Sequence, residues 1–247
     1  MSLAVTILGS SGRFQTLERA CVGYLLEIGG SNIWLDAGGG TWLNLQRSID
    51  YADLDGVLLT HGHPDHTIDV LQAYHARQYG QPEPLERIPL WAPQETLDRL
   101  SAFAKGIKEA FDLKAITVDD RLTIAGASVS FVTMAHPEPT LGVRFELDGK
   151  VLAFSSDTGE VADFESLAGG ADLFVCEATS QDSDPLWEGH LRASQAGAIA
   201  AKVGVKKLLL THLPNGRDLS TSLEEARASA DGVGVELAED GSRLELA

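Results

Sequence analysis

Thr60-His61-Gly62-His63-Pro64-Asp65-His66 follows the apolar run Val57-Leu58-Leu59. That run is short, branched-rich and bounded by Gly56, so it reads as a buried strand opening into a loop. Three imidazoles and one carboxylate then stand side by side. Gly62 allows a tight backbone path and Pro64 stiffens it, so these side chains can point into one space. Neutral imidazoles with a carboxylate suit a borderline cation such as Zn²⁺. A lone loop histidine would read as solvated, whereas H-x-H-x-D-H after a buried strand reads as a metal site.

Outward from this stretch, ligand-type residues recur just after apolar strands. Asp36 closes the strand pattern Asn32–Leu35, His136 follows Ser128–Ala135, Asp157 follows Val151–Ser155, and His212 follows Lys207–Leu210. Loops at strand ends converge on one edge of a layered α/β domain and build sites there. His61, His63, Asp65, His66, His136, Asp157 and His212 suffice for two metal sites with one shared ligand. Such a pair of ions lowers the pKa of a shared water and clamps the oxygens of an in-line displacement. Thr60-His61 and Thr211-His212 both end Leu-rich strands, consistent with two related halves.

Asp36 has two readings, a partner for the free N–H of a metal-bound imidazole or a turn or cap carboxylate. The glycines Gly38 to Gly40 after it match neither the phosphate-loop pattern nor the dinucleotide pattern. His75 lies inside a helical pattern and reads as a surface residue.

The remaining elements follow from periodicity and breakers. Leu3–Leu8 reads as a strand, and Cys21–Ile28 with Asn32–Leu35 as a hairpin around Gly29-Gly30. Helices are expected over Thr41–Ile49, Thr67–Tyr79 and Gln94–Phe111, the last interrupted near Gly106. Ile88–Trp91 and Ile116–Ile124 read as strands, and Leu141–Leu147 with Val151–Ser155 as a hairpin around Asp148-Gly149. Leu173–Cys176 is a buried strand leading to Glu177, followed by a polar loop closed by His190. Ala193–Val203 is a small-residue helix stopped by Gly204. A helix over Leu223–Ala230 and two weak strands complete the tail. No linker or low-complexity stretch divides the chain, so residues 1–247 are expected to form one domain.

The 247 residues are 44% apolar and 22% charged, ordinary for a globular enzyme, with a formal net charge of -17. So acidic a surface repels a polyphosphate backbone, and no basic patch offsets it. Cys21 and Cys176 sit in apolar runs and read as reduced core thiols. No signal-peptide pattern opens the chain, and no apolar stretch approaches the roughly 20 residues of a membrane span. A cytoplasmic location with no membrane partner is expected.

Several stretches together resemble the metallo-β-lactamase fold superfamily, in the branch of ribonuclease Z and the atypical class II cyclic-nucleotide phosphodiesterases. They are Leu8-Gly9-Ser10-Ser11-Gly12, Leu35-Asp36-Ala37-Gly38, Thr60 to His66, His136-Pro137 with Gly142 to Phe145, Ser156-Asp157-Thr158-Gly159, Cys176-Glu177-Ala178-Thr179, Gly189-His190-Leu191 and Leu209-Leu210-Thr211-His212. They keep the family's order along nearly the whole chain. The resemblance implies a four-layer αββα sandwich and two divalent metal ions, zinc first, with manganese or iron also tolerated. It implies that His61, His63 and His136 hold one ion, that Asp65, His66 and His212 hold the other, and that Asp157 bridges. Asp65 would also orient or deprotonate the water. His190 would assist the leaving oxygen, with Glu177 behind it holding the acid form.

The chain departs from ribonuclease Z in one respect. Only residues 137–156 separate His136 from Asp157, where those enzymes carry a long tRNA-gripping insertion. The expected activity is therefore phosphodiester hydrolysis on a small nucleotide, with 3′,5′-cyclic nucleotides first. A ribonuclease Z-like endonuclease and a lactone, ester or thioester hydrolase are the alternatives. Phe14 and Trp187 could stack on a base or simply pack. The family resemblance also implies a homodimer. Protein purified without added metal should carry about two divalent ions per chain by elemental analysis; a metal-free, fully active preparation would overturn the metal assignment.

Overall fold

The computed structural model describes residues 2–185 and 187–246. Strands in the middle of each sheet read as nearly unbroken apolar runs because they are covered on both faces, whereas strands at the sheet edges are partly exposed. The first sheet contains β1 (Leu3–Gly9), β2 (Gly23–Ile28), β3 (Ser31–Ala37), β4 (Gly56–Leu58), β5 (Ile88–Ala92) and β6 (Phe111–Ala115). The second contains β7 (Arg121–Ile124), β8 (Ala127–Thr133), β9 (Leu141–Leu147), β10 (Lys150–Phe154), β11 (Leu173–Glu177), β12 (Lys207–Thr211) and β13 (Gly234–Leu237). A last strand, β14 (Arg243–Glu245), returns to pair with β1, giving the orders β14-β1-β2-β3-β4-β5-β6 and β13-β12-β11-β10-β9-β8-β7.

Each sheet is antiparallel on one side and parallel on the other. From β3 to β6 the neighbours run parallel, as they do from β10 to β13. The two halves of the chain therefore repeat one plan, as the paired Thr-His strand ends suggested.

Alternation along the strands feeds three cores. Leu173 and Val175 of β11 point between the sheets with Leu26, Ile33, Leu35, Phe145 and Phe154. Phe174 and Cys176 of the same strand point outward, under α6 (Phe164–Ala168), α7 (Ala193–Lys202) and α8 (Leu219–Ser229). On the opposite flank Trp34 and Val57 pack beneath α1 (Thr41–Ser48), α3 (Val70–Tyr79), α4 (Gln94–Phe103) and α5 (Ile107–Ala110). The layers are α, β, β, α, the expected sandwich. Both cysteines are free and buried; burial pushes the Cys21 thiol up to about 11. No helix among the described residues is long and apolar enough to cross a membrane.

Four local expectations change. Ile116–Ile124 is not one strand: Thr117 donates through N and Oγ1 to Asp120 Oδ2 at 2.7 and 2.8 Å, closing a turn. The chain passes from the first sheet to the second at this turn, with β6 before it and β7 after it. Phe111 opens β6 rather than ending a helix. The helix expected from Thr67 starts inside the metal-type stretch itself, as the short α2 (Pro64–Thr67), because Pro at the first helical position lacks only a donor the helix would leave unpaired. Similarly, α8 begins at Leu219 because the Asp218 carboxylate caps it, accepting from Ser220 N at 3.0 Å.

Phe145 is fully buried between the sheets. Phe145→Ala should lower unfolding stability by about 3–5 kcal/mol in urea titrations, the usual cost of an aromatic-sized cavity.

Candidate metal centre

The seven candidate ligands meet at one edge of the sandwich. His61, His63, His136 and Asp157 form one group, and Asp65, His66 and His212 a second; ligand atoms within each lie within 4.8 Å of one another. Three positions get there by a sharp turn at a strand end. Asp36, Ser156 and His212 have φ of 54°, 54° and 50°, left-handed backbone that non-glycine residues rarely take. Gly38 makes room for the loop, since a Cβ there would lie 2.0 Å from the Asp65 carbonyl oxygen.

Every imidazole has a partner on the nitrogen that faces away from its neighbours. His66 Nδ1 lies 2.7 Å from Asp36 Oδ2, His136 Nδ1 3.0 Å from the Gly189 carbonyl oxygen, and His212 Nδ1 2.6 Å from Thr179 Oγ1. His61 Nδ1 lies 3.2 Å from Thr60 Oγ1, and His63 Nε2 3.5 Å from Glu138 Oε1. Such partners fix tautomer and ring orientation. Asp36 is therefore an orienting carboxylate for His66, which decides between its two readings. It also accepts from Thr60 N and Thr60 Oγ1 at 2.8 and 2.9 Å.

The inward nitrogens then face one another. His63 Nδ1 lies 3.1 Å from His61 Nε2 and 3.3 Å from His136 Nε2. Asp157 Oδ1 lies 3.2 and 3.4 Å from Nε2 of His66 and His212, while its Oδ2 lies 3.6 and 4.0 Å from Nε2 of His61 and His136. His212 Nε2 is 3.3 Å from Asp65 Oδ2. With protons held on the outward nitrogens, the inward ones meet lone pair to lone pair, which a cation between them relieves. Adjacent donors of a tetrahedral zinc shell stand about 3.3 Å apart, given metal–nitrogen bonds of about 2.0–2.1 Å. His66 Nε2 and Asp157 Oδ1 are also buried without a hydrogen-bond partner. The residues thus fit two divalent ions with Asp157 between them.

The electrostatics divide the groups. Burial, then the neighbouring His66, drives the His61 pKa well below the ordinary imidazole value, and burial also lowers that of His136. Burial likewise opposes charge on His66 and His212, but Asp157 foremost, with Asp36 and Asp65, outweighs it and raises both. Burial opposes charge on Asp157 too; His212 and His66 override it and hold that carboxyl well below its usual range.

His190 and Glu177 come together as expected. His190 Nδ1 lies 2.8 Å from Glu177 Oε1, and a ring nitrogen of His190 lies within 4.8 Å of ligand atoms of Asp157 and His212. Glu177 is buried and accepts also from Thr158 N at 2.6 Å, Leu191 N at 3.2 Å and Thr179 Oγ1 at 2.5 Å. Because that threonine hydroxyl donates to the carboxylate, it can only accept from His212 Nδ1–H. One buried carboxylate thereby orients two histidines. Trp187 stands against the His190 ring, centroids 4.6 Å apart. His75 is exposed and meets Tyr74 and Tyr79 edge-on, away from the centre.

Sequence reasoning missed Thr60, Thr179, Ser156 and the pair Glu138–Arg99. Thr179 stands two residues after Glu177, a same-side spacing that could have marked it. Arg99 holds Glu138 by two contacts of 2.7 and 2.8 Å from a helix far along the chain, and no local pattern signals that.

The fold and this centre define a metallo-hydrolase of the β-lactamase fold. The chain belongs to the beta-lactamase superfamily: the beta-lactamase superfamily domain matches residues 31–213. Among its relatives, the Mycobacterium tuberculosis protein Rv1339 is 33% identical over 243 residues, covering 94% of this chain and 88% of that protein. The probable metallo-hydrolase YhfI of Bacillus subtilis is 26% identical over 247 residues, covering 97% and 98%. A ribonuclease Z of Kineococcus radiotolerans is 27% identical over 293 residues, covering 96% and 93%. The crystal structure of YhfI superposes with a TM-score of 0.90 over 99% of this chain and 100% of that one. A diphosphatase of the PhnP family (TM-score 0.79, 21% identity, 99% and 98% covered) and yeast PDE1 (0.79, 14%, 99% and 99%) share the fold.

Two outcomes follow for metal binding. Asp36→Ala should weaken it about 10–100-fold by competition with a chromophoric chelator, with the fold retained by circular dichroism. Protons compete for His66 and His212, whose raised pKa values keep them charged to higher pH, so metal should leave the Asp65–His66–His212 group first as pH falls. Metal content followed against pH should pass through a plateau near half loading; a single-step loss of both ions would contradict this.

Proposed function

We propose that the protein is a dinuclear, zinc-dependent phosphodiesterase acting on small nucleotides, with 3′,5′-cyclic nucleotides as the first candidates. The observation that carries this reading is the bridging position of Asp157 beside the His190–Glu177 pair. When bound, the two ions would supply an activated water and neutralise charge developing on the phosphoryl oxygens. His61, His63 and His136 would hold one, and Asp65, His66 and His212 the other.

The chain's own groups do the rest. Asp65 Oδ2 accepts from Arg13 N at 2.8 Å and faces the same cavity, where it can orient the attacking water or take its proton. Glu177 accepts from His190 Nδ1–H and so favours the doubly protonated ring, whose Nε2–H can pass its proton to the departing oxygen. Leaving-group assistance of this kind suits the departure of a ribose alkoxide.

The short span from His136 to Asp157 supports a small substrate, because residues 141–147 and 150–154 of it are hairpin strands of the second sheet. The net charge of -17 points the same way. Relatives named ribonuclease Z favour a second reading, an RNA endonuclease. Two buried, unpaired thiols suit a cytoplasmic protein.

The test is a panel of cyclic AMP, bis-p-nitrophenyl phosphate, a precursor tRNA, a lactone and a nitrocefin-type lactam with the metal-loaded protein. Turnover of the two small diesters is expected. Cyclic AMP at background with a fast lactone or tRNA reaction would overturn the reading. His190→Ala should lower kcat by about 10²–10⁴-fold while metal content stays unchanged.

A further inference from the structure

A cavity of about 440 Å³ opens over the metal centre and is lined by Asp65, Asp157, His190, His212, Trp187 and Arg13. Beside it lies a second of about 420 Å³, bounded by Phe14, Ser180, Asp184, Pro214 and Arg217. Arg13 and Trp187 line both. The two cavities are therefore neighbours, with one arginine and one aromatic ring at the junction.

The two arginines differ. Arg217 is paired with Asp184 and reaches Ser183 Oγ at 3.2 Å. The Arg13 side chain is exposed, and among the described residues its guanidinium has no hydrogen-bond or ion-pair partner; only its backbone N–H is engaged, by Asp65. That backbone is fixed from several sides. Asn215 Nδ2 donates to the carbonyls of Gly12 and Phe14 at 3.0 and 2.9 Å, and Ser11 Oγ also donates to Phe14 at 2.9 Å. Gly12 N donates to the Leu213 carbonyl at 3.1 Å, in the loop that begins with His212. Arg13 itself is held at φ 67°, a conformation an arginine does not choose unaided. The loop thus presents an unpaired planar cation from a fixed stretch of backbone beside the centre, in a chain of strongly negative charge.

An unpaired guanidinium beside a two-metal site is suited to bidentate contact with phosphoryl oxygens. Phe14 and Trp187 are 58% and 48% exposed and line the adjoining cavity, where aromatic rings can pack against a flat base. We propose that Arg13 clamps the phosphoryl group of a nucleotide ligand and that the second cavity takes the ligand's base. The proposal rests on the phosphodiesterase reading for its substrate class, and names how that substrate is oriented: phosphate between the metals and Arg13, base towards Phe14.

The test measures binding rather than turnover. Adenosine 5′-monophosphate, ribose 5-phosphate and uncharged adenosine are titrated calorimetrically into metal-loaded wild type, Arg13→Gln, Arg13→Lys and Phe14→Ala, with metal content checked in each. Arg13→Gln should weaken the monophosphate at least about tenfold and leave adenosine within about twofold, with Arg13→Lys in between. Wild type should prefer the monophosphate to ribose 5-phosphate, and Phe14→Ala should narrow that preference. Unchanged monophosphate affinity in Arg13→Gln, equal losses for adenosine, or no binding of the monophosphate to wild type would each overturn the proposal. If no diester is hydrolysed yet the monophosphate still binds through Arg13, the phosphodiesterase reading falls and the subsite stands.

Discussion

Asp157 is a buried carboxylate set between two groups of imidazoles, and the architecture of the centre depends on it. Its Oδ1 faces His66 and His212, and its Oδ2 faces His61 and His136. Taking an ionised carboxylate out of water costs several kcal/mol unless cations surround it. Here they can be imidazolium protons or metal ions, and the same crowding makes the site selective for positive charge. The two sheets serve this point: β10 leads to Asp157, β12 to His212 and β4 to the histidine-rich loop, from opposite layers.

Two further buried carboxylates hold the imidazoles in register, one from each half of the chain. Asp36 binds Thr60 and His66; Glu177 binds Thr179 and His190 and, through Thr179, aims His212. Each carboxylate sits at or near the end of a strand, and each uses a threonine hydroxyl as an intermediary. The halves are also stitched to each other near the centre. Ser156 Oγ donates to Thr60 Oγ1 at 2.6 Å, and Tyr24 OH meets Thr211 Oγ1 at 2.5 Å. Left-handed backbone at Asp36, Ser156 and His212 costs on the order of 1–3 kcal/mol each, and these hydrogen bonds together with core burial on both sides sustain it.

The edge of the sandwich is finished by loops that carry the groups closest to a ligand. Gly159 lets the loop before His190 lie against the segment after Asp157, since a Cβ there would fall 1.8 Å from the Glu188 carbonyl oxygen. That loop brings Trp187 and His190 over the centre, and Gly189 supplies the carbonyl that orients His136. The opposite wall is the Ser11–Phe14 loop, tied to the segment after His212 by Asn215. A ligand entering the cleft therefore meets both halves of the chain.

The sequence by itself singled out the candidate ligands, and the family resemblance it carries implied the layer plan. His61 to His66 lie close enough in the chain that their convergence is nearly local, and apolar runs ending at Asp36, Asp157 and His212 announce strands buried on both faces. It did not determine where the chain changes sheets, because the turn at Thr117 to Asp120 lies within a pattern that also reads as a continuous strand. Nor could it show the orienting partners. Thr60, Thr179 and Glu138 are ordinary polar residues until the sheets stack and place them against the outward imidazole nitrogens. The candidate ligands are legible from residue type, short spacing and position after apolar runs, whereas tautomer, protonation and the free guanidinium of Arg13 depend on neighbours distant in the chain, and only packing decides those.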